Sequence, residues 1–353
     1  KTVYILEYYQ KKMTNLSYSL LFWYKKNKRD LPWRRKSNIK NPYFVWLSEI
    51  MLQQTTVKTV PNYYEKFINK WPNVKSLSKA KLDNVLFFWQ GLGYYNRAIN
   101  LHKCAKIISK NYNGNFPNSV KLLSELPGIG EYTAKAISSI AFNKRTIGID
   151  VNVSRVVSRI FNLDTNNKKK IEMASLRILP EKNCGNFMQA MMDLGSTICT
   201  KKKINCDICP ISKYCKYKKS QNKHHIFNFI KKKIQCKFLY VYLIECKDKI
   251  FLQKRVDTKI LAGLMAIPET KWYDNKFTLN TAKNMAPMKL NWITVPGILR
   301  YNISSYKLEI RFLRAKIKKK VDIQYGRWIK KNRINSLPIS TLTKKILSHL
   351  GLF

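Results

Sequence analysis

Four cysteines that lie close together in the sequence constrain the folding of this chain more than any other feature. They follow the spacing C-x6-C-x2-C-x5-C at Cys199, Cys206, Cys209 and Cys215. Four thiolates in one short segment can surround a single metal centre, and sulfur ligands suit either Zn²⁺ or an iron–sulfur cluster. Zinc sites usually combine two C-x2-C pairs, whereas this segment has one. The alternative is a chance cluster of cysteines that binds no metal.

The other four cysteines are scattered along the chain. This distribution predicts small, buried, apolar side chains rather than ligands. With no sign of export, we expect free thiols or metal ligands rather than disulfides. These residues are Cys104, Cys184, Cys236 and Cys246.

The charge of the chain indicates its partner. Lys and Arg total 67 against 20 Asp and Glu, which gives a net charge of +47. Such a field attracts polyanions, and nucleic acid leads because bound phosphates release counterions. The alternative is a basic surface that reflects Lys-rich codon usage. No apolar run approaches the roughly 18 residues of a membrane span, and residues 1–10 lack the apolar core of a signal peptide. We therefore expect no membrane association and no secretion; in a bacterium, the protein would be cytoplasmic and nucleoid-associated.

Hydrophobic periodicity divides the chain into domains. Residues 1–222 show apolar side chains at three- and four-residue spacing, which is typical of helices. Residues 223–235 are basic and poorly periodic and are predicted to form a linker. Residues 236–353 change to the two-residue alternation of strands. The pattern predicts a multidomain protein with an all-α region followed by an α+β domain.

Individual elements can be predicted within this division. One helix should begin at Pro42, which suits a first turn, and another should cover residues 132–140. A β-hairpin is expected at 238–252, a further strand at 306–317 and a closing helix at 340–350.

The cysteine spacing resembles the [4Fe–4S] module of the helix-hairpin-helix DNA glycosylase superfamily, at residues 199–215. Residues 126–130, Leu-Pro-Gly-Ile-Gly, resemble its hairpin, within a motif at about 122–142. Gly128 and Gly130 let the backbone approach DNA closely, and N–H groups at the following helix start can hold a phosphate. The resemblance implies a [4Fe–4S] cluster held by the four cysteines. Four further stretches are similar to the adenine branch in particular: 31–33, 45–55, 91–95 and 189–195.

Hydrolysis of an N-glycosidic bond requires a proton for the leaving base and stabilisation of positive charge on the sugar. Paired carboxylates, one protonated and one ionised, do both in glycoside hydrolysis. Glu49 suits the acid because its helical neighbours are mostly apolar, which should raise its pKa. Asp150 suits the second role, which the resemblance gives as stabilising the sugar cation. The alternatives are an exposed helical glutamate and a helix N-cap, respectively.

The resemblance also assigns a third catalytic residue. Tyr132 stands where the endonuclease III branch carries a Lys that forms a Schiff base and cleaves the strand, a reaction that Tyr132 cannot perform. In the adenine branch, a Tyr at this place supports the sugar intermediate. Lys135 and Val151 depart from the family pattern, in which small residues and Gly are usual. Lys135 is a candidate phosphate contact.

Extrusion of the target base requires a pocket for the base and a wedge for the gap that it leaves. By resemblance, Gln54 and Tyr94 form the intercalating wedge. For Trp33, packing in the core is the alternative. The residues that match pocket positions for the extruded adenine are Arg29, Trp33, Leu52, Asn152 and Gln189.

Residues 236–353 resemble the nudix-like domain with which adenine glycosylases inspect the opposite base, 8-oxoguanine. The stretches 251–255 and 261–264 carry this resemblance. After Gly263, we find Glu269 and Asp274 but no clustered acidic box, which argues against metal-dependent pyrophosphate hydrolysis. The family's Phe-Ser-His loop aligns with Ile303-Ser304-Ser305. Ser304 and Ser305 are therefore predicted to read the lesion, with less preference for 8-oxoguanine over guanine than in relatives.

Together these features predict a monofunctional DNA glycosylase that removes adenine mispaired with 8-oxoguanine or guanine, acts on double-stranded DNA and is a monomer. Two alternatives are a glycosylase-lyase acting on oxidised pyrimidines and a non-enzymatic, metal-bearing DNA-binding protein. Tyr132 argues against the first, and the pair Glu49 and Asp150 against the second. Residue 1 is Lys, and Met13 precedes the first segment that resembles the family. We expect residues 1–12 to be upstream sequence or a disordered extension.

Overall fold

A computed structural model describes residues 2–220, 234–256, 260–321 and 326–352. The chain forms two compact units. The first contains Lys1–Lys79 and Lys103–Phe229, and the second contains Ala80–His102 and Ile230–Phe353. Residues 80–102 thus group with the C-terminal part of the chain. The domain boundaries at 222 and 236 stay a prediction, because most of the expected linker lies outside the described residues.

The first part of the chain is helical. Its helices are, in chain order, α1 (Thr2–Asn27), α2 (Lys36–Ile39), α3 (Pro42–Leu52), α4 (Val60–Lys70), α5 (Val74–Ser78), α6 (Leu82–Phe88), α7 (Asn96–Asn111), α8 (Val120–Ser124), α9 (Glu131–Ile140), α10 (Val151–Phe161), α11 (Lys168–Arg177), α12 (Cys184–Thr197) and α13 (Lys216–Lys219). None of the helices in the described part of the chain is long and apolar enough to cross a membrane. The backbone of residues 2–12 belongs to α1, so the disorder expected for this segment is wrong.

Two helix starts follow from local chemistry. Pro42 occupies the first turn of α3, where a missing N–H costs no hydrogen bond, and Asn41 caps it by accepting from the Tyr43 N–H at 3.0 Å. The predicted helix at 132–140 is confirmed as α9. Helices α1, α10 and α12 pack together around one apolar core that includes Leu16, Val156 and Phe187, all at most 1% exposed.

The C-terminal part of the chain is built on a mixed sheet. Its helices and strands are β1 (Gln235–Cys246), β2 (Lys249–Lys254), β3 (Met265–Ala266), α14 (Leu279–Asn284), β4 (Ile293–Ile303), β5 (Tyr306–Lys316), β6 (Gly326–Lys330) and α15 (Thr341–His349). The strand order is β3-β2-β1-β5-β4, and β6 pairs with β2. The predicted hairpin, the strand near 306–317 and the closing helix are confirmed as β1–β2, β5 and α15.

Strand β1 is the centre of this unit. It pairs in parallel with β5 along its length, and its side chains are buried on both faces of the sheet. Leu239 and Val241 enter the core that contains α15, whereas Tyr240 and Tyr242 enter a second core with Trp292. The alternation in the sequence therefore separates two cores and not a core from solvent.

Three of the four scattered cysteines are buried as predicted: Cys104, Cys184 and Cys246. Cys236 is exposed, so the prediction is wrong at that position. Its exposure follows from its place near the start of β1, before the strand enters the core.

Candidate active site and cysteine module

A pocket of about 790 Å³ lies within the first unit. It brings together residues from α3, the hairpin helix α9, the start of α10 and α12. Glu49, Tyr132 and Asp150 all line this pocket. Tyr94 belongs to the other unit. The predicted pocket residues that the structure places in the lining are Arg29, Trp33, Leu52, Gln54, Asn152 and Gln189.

Glu49 is the buried acid of this pocket. Helix α3 turns it away from solvent, so its side chain is 8% exposed. Burial raises the pKa of Glu49 to about 7, with the charge of Asp150 acting in the same direction. A hydrogen bond from Tyr132 and the charge of Arg34 both oppose this rise. The predicted rise in pKa is thus confirmed, and near neutral pH much of Glu49 holds a proton.

Asp150 is the N-cap of α10, as its alternative interpretation required. Its Oδ1 accepts from the N–H groups of Asn152 at 2.9 Å and Val153 at 2.7 Å. Its Oδ2 accepts from the Asn152 side-chain amide at 2.8 Å. These three hydrogen bonds fix the position of the carboxylate at the start of α10. The capping interaction leaves Asp150 in the lining of the pocket, so it does not exclude the second role, which stays a prediction.

Tyr132 contacts Glu49 and lines the same pocket as Asp150. It lies at the second position of α9, and its side chain forms a hydrogen bond with Glu49. Burial raises the pKa of Tyr132 well above its ordinary value, and the charges of Glu49 and Asp150 raise it further. The Tyr132 side chain therefore stays a neutral hydroxyl. Gly148 allows this placement, because a Cβ there would lie 2.9 Å from the Tyr132 carbonyl oxygen and 3.0 Å from its ring.

The hairpin before α9 has the backbone that its glycines allow. Gly128 has a φ of +78°, a left-handed conformation that glycine adopts without steric cost. Gly130 has extended backbone and precedes the first residue of α9, Glu131. The N-terminal end of α9 thus directly follows the hairpin.

The two departures from the family pattern have local explanations. The Lys135 ammonium lies 2.6 Å from a carboxylate oxygen of Glu131 and 2.6 Å from one of Glu172, so it takes part in a surface ion-pair network. It is absent from the described lining of the pocket. Val151 begins α10 with helical backbone and is 71% exposed. A valine is therefore accommodated there without strain.

A buried ion-pair network that the sequence did not indicate lies beside the pocket. Asp193 is fully buried on α12 and accepts from both Arg29 and Arg34. Arg29 Nε donates at 2.7 Å, and the two terminal nitrogens of Arg34 donate at 2.7 and 3.0 Å. Arg34 lines the pocket and influences Glu49 through its charge. The only signal in the sequence was that Arg34 and Asp193 stand in or beside the motifs at 31–33 and 189–195.

The remaining predicted pocket residues line the cavity, and two of them, Trp33 and Gln189, are also packed in the protein interior. Trp33 is 6% exposed and contacts the ring of Tyr64 edge-on at a centroid distance of 5.6 Å, so core packing and pocket lining both apply to it. Gln189 is 4% exposed, and its amide donates to the Gly185 carbonyl at 3.2 Å. Gln54 follows α3 with a φ of +56°.

A chain of hydrogen bonds connects the cysteine module to the pocket. Arg155 Nε donates to the Cys199 carbonyl at 2.9 Å, and its Nη2 donates to the Asn152 side-chain oxygen at 2.7 Å. The Asn152 amide in turn donates to Asp150. Arg155 is buried, so these bonds are shielded from water. Asn152 therefore positions Asp150 as well as lining the pocket.

The four predicted metal ligands lie near one another. Burial raises the pKa of Cys209 to about 11, and the charges of Cys199, Cys215 and Cys206 add to the rise. Arg159 Nη1 donates to the Cys199 sulfur at 3.1 Å. Within the described residues, no three His, Cys, Asp or Glu side chains are gathered as closely as a single metal ion requires.

The predicted lesion-reading residues form a tight turn in the second unit. Ser304 and Ser305 join β4 to β5, between the paired residues Ile303 and Tyr306. Ser304 is exposed and has a φ of +54°. Ile303 and Tyr306 pack against the core of the unit, and Tyr306 meets Trp272 edge-on. The exposed tip of the turn is therefore Ser304.

The acidic residues after Gly263 offer no metal site among the described residues. Glu269 forms an ion pair with Arg255 and accepts from the Trp272 indole at 3.0 Å. Asp274 pairs with Lys237 at 2.7 Å. Each of the two carboxylates is thus paired with a cation.

Comparison with known proteins identifies both parts of the chain. Residues 47–181 match the HhH-GPD superfamily of base excision DNA repair proteins, and residues 239–349 match the NUDIX domain. A structure of a thermostable thymine-DNA glycosylase is 29% identical, with a TM-score of 0.54 over 59% of this chain and 97% of that chain. A non-covalent endonuclease III–DNA complex, 22% identical with a TM-score of 0.51 over 60% of this chain and 96% of that one, has the same fold. The predicted fold class is confirmed.

Three curated relatives are adenine DNA glycosylases. Adenine DNA glycosylase of Buchnera aphidicola subsp. Acyrthosiphon pisum is 40% identical over 75% of this chain and 79% of its own length. That of Buchnera aphidicola subsp. Baizongia pistaciae is 43% identical over 73% of this chain and 75% of its own. That of Homo sapiens is 40% identical over 56% of this chain and 38% of its own. The chain therefore belongs to the adenine DNA glycosylase family of base excision repair enzymes.

Proposed function

We propose that this protein hydrolyses the N-glycosidic bond of adenine mispaired with 8-oxoguanine or guanine, and that it does so without cleaving the strand. The observation that carries the proposal is the buried Glu49, whose pKa is raised to about 7, in one pocket with Tyr132 and Asp150. Glycoside hydrolysis uses a pair of carboxyl groups, one of which is kept protonated to act as the acid, and Glu49 has the raised pKa that this role needs.

In the proposed mechanism, an adenine extruded from the duplex enters the pocket, and protonated Glu49 gives its proton to the base. The bond from the sugar to the base then breaks, its electron pair leaves with the protonated base, and positive charge develops on the sugar carbon, to which the water oxygen will bond. The Asp150 carboxylate, held by its three donors, stabilises that charge. Glu49, now ionised, takes a proton from the attacking water.

Tyr132 explains why the proposed reaction ends at base removal and does not include strand cleavage. Its hydroxyl remains protonated and cannot form a Schiff base with the sugar, so no covalent route to strand cleavage exists through this residue. Lys135 does not replace it, because the ammonium is paired with two carboxylates. The product strand should therefore break only after alkali treatment.

The cysteines fit a [4Fe–4S] cluster held by Cys199, Cys206, Cys209 and Cys215. Arg159 beside Cys199 would offset the negative charge of the thiolates. When bound, the cluster would supply a redox-capable centre that ties this segment together. The chain's own contribution is the hydrogen-bonded path from Cys199 through Arg155 and Asn152 to Asp150.

The partner in this proposal is double-stranded DNA containing an A:8-oxoguanine or A:G mispair, bound by one monomer. Gly128 and Gly130 allow close approach of the backbone, and Gln54 and Tyr94 act as the wedge. Arg29, Trp33, Leu52, Asn152 and Gln189 form the pocket for the base. Ser304 and Ser305 contact the opposite base, and the net charge of +47 favours binding to phosphates.

A glycosylase assay on three duplexes tests this proposal. The duplexes with adenine opposite 8-oxoguanine and with adenine opposite guanine should both lose adenine. The duplex that contains thymine glycol should keep that base. Borohydride should trap little covalent adduct. Efficient trapping that Lys135→Ala abolishes would show a lyase instead. Iron content and visible absorption, measured on the same preparation, separate an iron–sulfur cluster from zinc.

A further inference from the structure

The loop that carries Tyr94 has an unusual backbone. It connects α6 to α7 within the second unit, and Gly91, Gly93 and Tyr94 have φ values of +101°, +71° and +48°. A tyrosine in the left-handed region is strained, so neighbouring contacts must hold it there. Tyr94 is 53% exposed, and burial alone therefore does not fix its ring.

Arg97 and Trp89 hold the backbone of this loop. Arg97 Nη2 donates to the carbonyls of Leu92 at 3.0 Å and Gly93 at 3.1 Å. The Trp89 indole donates to the same Gly93 carbonyl at 3.1 Å. The Arg97 N–H also donates to the Tyr94 carbonyl at 2.9 Å. Two side chains thus converge on the residues immediately before Tyr94.

Arg97 also connects the two aromatic rings. Its guanidinium carbon lies 5.2 Å from the ring centroid of Trp89 and 5.7 Å from that of Tyr94. Trp89 is fully buried, so packing fixes the position of its ring. Burial lowers the pKa of Arg97 to about 10, and the cation persists at neutral pH. Cation–π contacts with both rings are therefore available.

The loop is in turn attached to the body of its unit. The Gln90 side-chain amide donates to the Leu337 carbonyl at 2.6 Å. Leu337 lies shortly before α15 in the sequence. Gly263, with a φ of +77°, brings its backbone close to Leu86 and Ile99. The loop's anchor is thus in the nudix-like part of the chain.

We propose that Arg97 is a positioning residue that holds the Tyr94 ring in the orientation needed for insertion into the duplex. The inference rests on the proposed role of Tyr94 as a wedge. A planar guanidinium can bond two carbonyls and lie over a ring at the same time, whereas a lysine ammonium cannot do both. Arg97→Lys keeps the charge that attracts DNA and removes the positioning, which separates the two effects.

A double-mutant cycle tests this role. The parent protein, Arg97→Lys, Tyr94→Ala and the double variant are mixed with duplexes that contain 2-aminopurine opposite 8-oxoguanine, and the fluorescence increase reports extrusion. Arg97→Lys should lower the equilibrium for extrusion on the order of tenfold, and it should have no further effect once Tyr94 is Ala. Arg177→Lys, an exposed position on α11, is the matched control and should behave as the parent.

Thermal unfolding of the same proteins separates positioning from general stability. Any decrease in the midpoint temperature of unfolding caused by Arg97→Lys should be the same whether residue 94 is Tyr or Ala. The decrease in extrusion caused by Arg97→Lys should appear only when residue 94 is Tyr. If Arg97→Lys fails to fold, Arg97→Gln, which keeps an amide donor and loses the planar cation, takes its place in the cycle.

The outcomes distinguish this inference from the proposed function. An equal loss of extrusion by Arg97→Lys in both backgrounds would overturn the positioning role and leave the wedge intact. If Tyr94→Ala alone leaves extrusion unchanged, the wedge assignment itself is wrong and the positioning role is wrong with it.

Discussion

The two units each contain a buried glutamate, and the two side chains are in opposite electrostatic states. Glu49 is 8% exposed and Glu245 is 3% exposed. Glu245 accepts from Arg314 at 2.5 Å and Lys331 at 2.8 Å, and these cations lower its pKa despite burial. Glu49 has a tyrosine and a second carboxylate as its close polar neighbours, and burial raises its pKa to about 7.

The difference teaches that burial alone does not define a catalytic acid. Glu245 is buried with two cations, so it is an ionised structural anchor on β1. Glu49 is buried without a directly bonded cation among its described contacts, so it can exchange a proton near neutral pH. Asp193, also in the first unit, resembles Glu245 because it is paired with Arg29 and Arg34. The presence or absence of a directly bonded cation therefore distinguishes a structural carboxylate from a carboxyl group that can exchange a proton.

The largest effect should come from Glu49→Gln in the catalytic assay. Without a transferable proton, adenine release should fall by about 10³-fold, while duplex binding persists because phosphate contacts supply most affinity. Single-turnover rates and binding on an adenine:8-oxoguanine duplex measure both. Glu125→Gln, an exposed glutamate after α8, is the control and should keep the parent rate. Release at a near-parent rate in Glu49→Gln would remove this residue from the mechanism.

The same substitution should change stability with pH. The unfolded chain releases the Glu49 proton near its ordinary pKa of 4.5, whereas the folded chain holds it to about 7. The parent therefore loses stability as pH rises through this interval, and a glutamine does not. Relative to the parent, Glu49→Gln should gain roughly 3 kcal/mol in free energy of unfolding on going from acid to mildly alkaline pH. Denaturant unfolding at several pH values measures it, and a constant difference would contradict the raised pKa.

Glu245→Gln should have the opposite pH dependence. Near neutral pH, it should cost roughly 2 kcal/mol in free energy of unfolding, because Arg314 and Lys331 lose a charged partner. Since the folded-state pKa is lowered, that stability is present above the ordinary pKa of 4.5 and is lost as pH falls through the folded value. The variant and the parent should converge in acid. Glu181→Gln, which removes an exposed ion pair with Arg145, should cost at most about 1 kcal/mol. Divergence of Glu245→Gln from the parent in acid would refute this account.

The smallest effect is expected at the lesion-reading turn. Replacing Ile303 and Ser305 together by Phe and His should increase the preference for 8-oxoguanine over guanine opposite adenine by about fivefold, because base contacts typically contribute about 1–3 kcal/mol and Ile303 is partly buried. Single-turnover rates on the two mispairs measure the ratio. Ser304→Ala should reduce the preference, since it removes the exposed hydroxyl at the tip. If neither substitution changes the ratio, this turn does not read the lesion.

Much of the local structure could be predicted from short stretches of sequence. Pro42 indicates where α3 begins, Gly128 and Gly130 indicate the hairpin before α9, and the alternation after residue 236 indicates the sheet. These features depend on backbone sterics and on hydrogen bonds between residues close in the chain, so a short segment contains the information. Glu49 was predicted as an acid for the same reason, since its helical neighbours are mostly apolar.

Interactions between distant residues appeared only in the tertiary structure. Tyr132 meets Glu49 from a different helix, and Asp193 joins Arg29 and Arg34 across more than 150 positions, with sequence separations of 164 and 159. The grouping of residues 80–102 with the second unit is of the same kind. The cysteine spacing and the helix starts can be found in the sequence because they are local. The direction of the pKa shift at Glu49 was predicted from its helical neighbours, but its size and the charge state of Glu245 required the fold, since each depends on which side chains the chain brings together and how completely they exclude water.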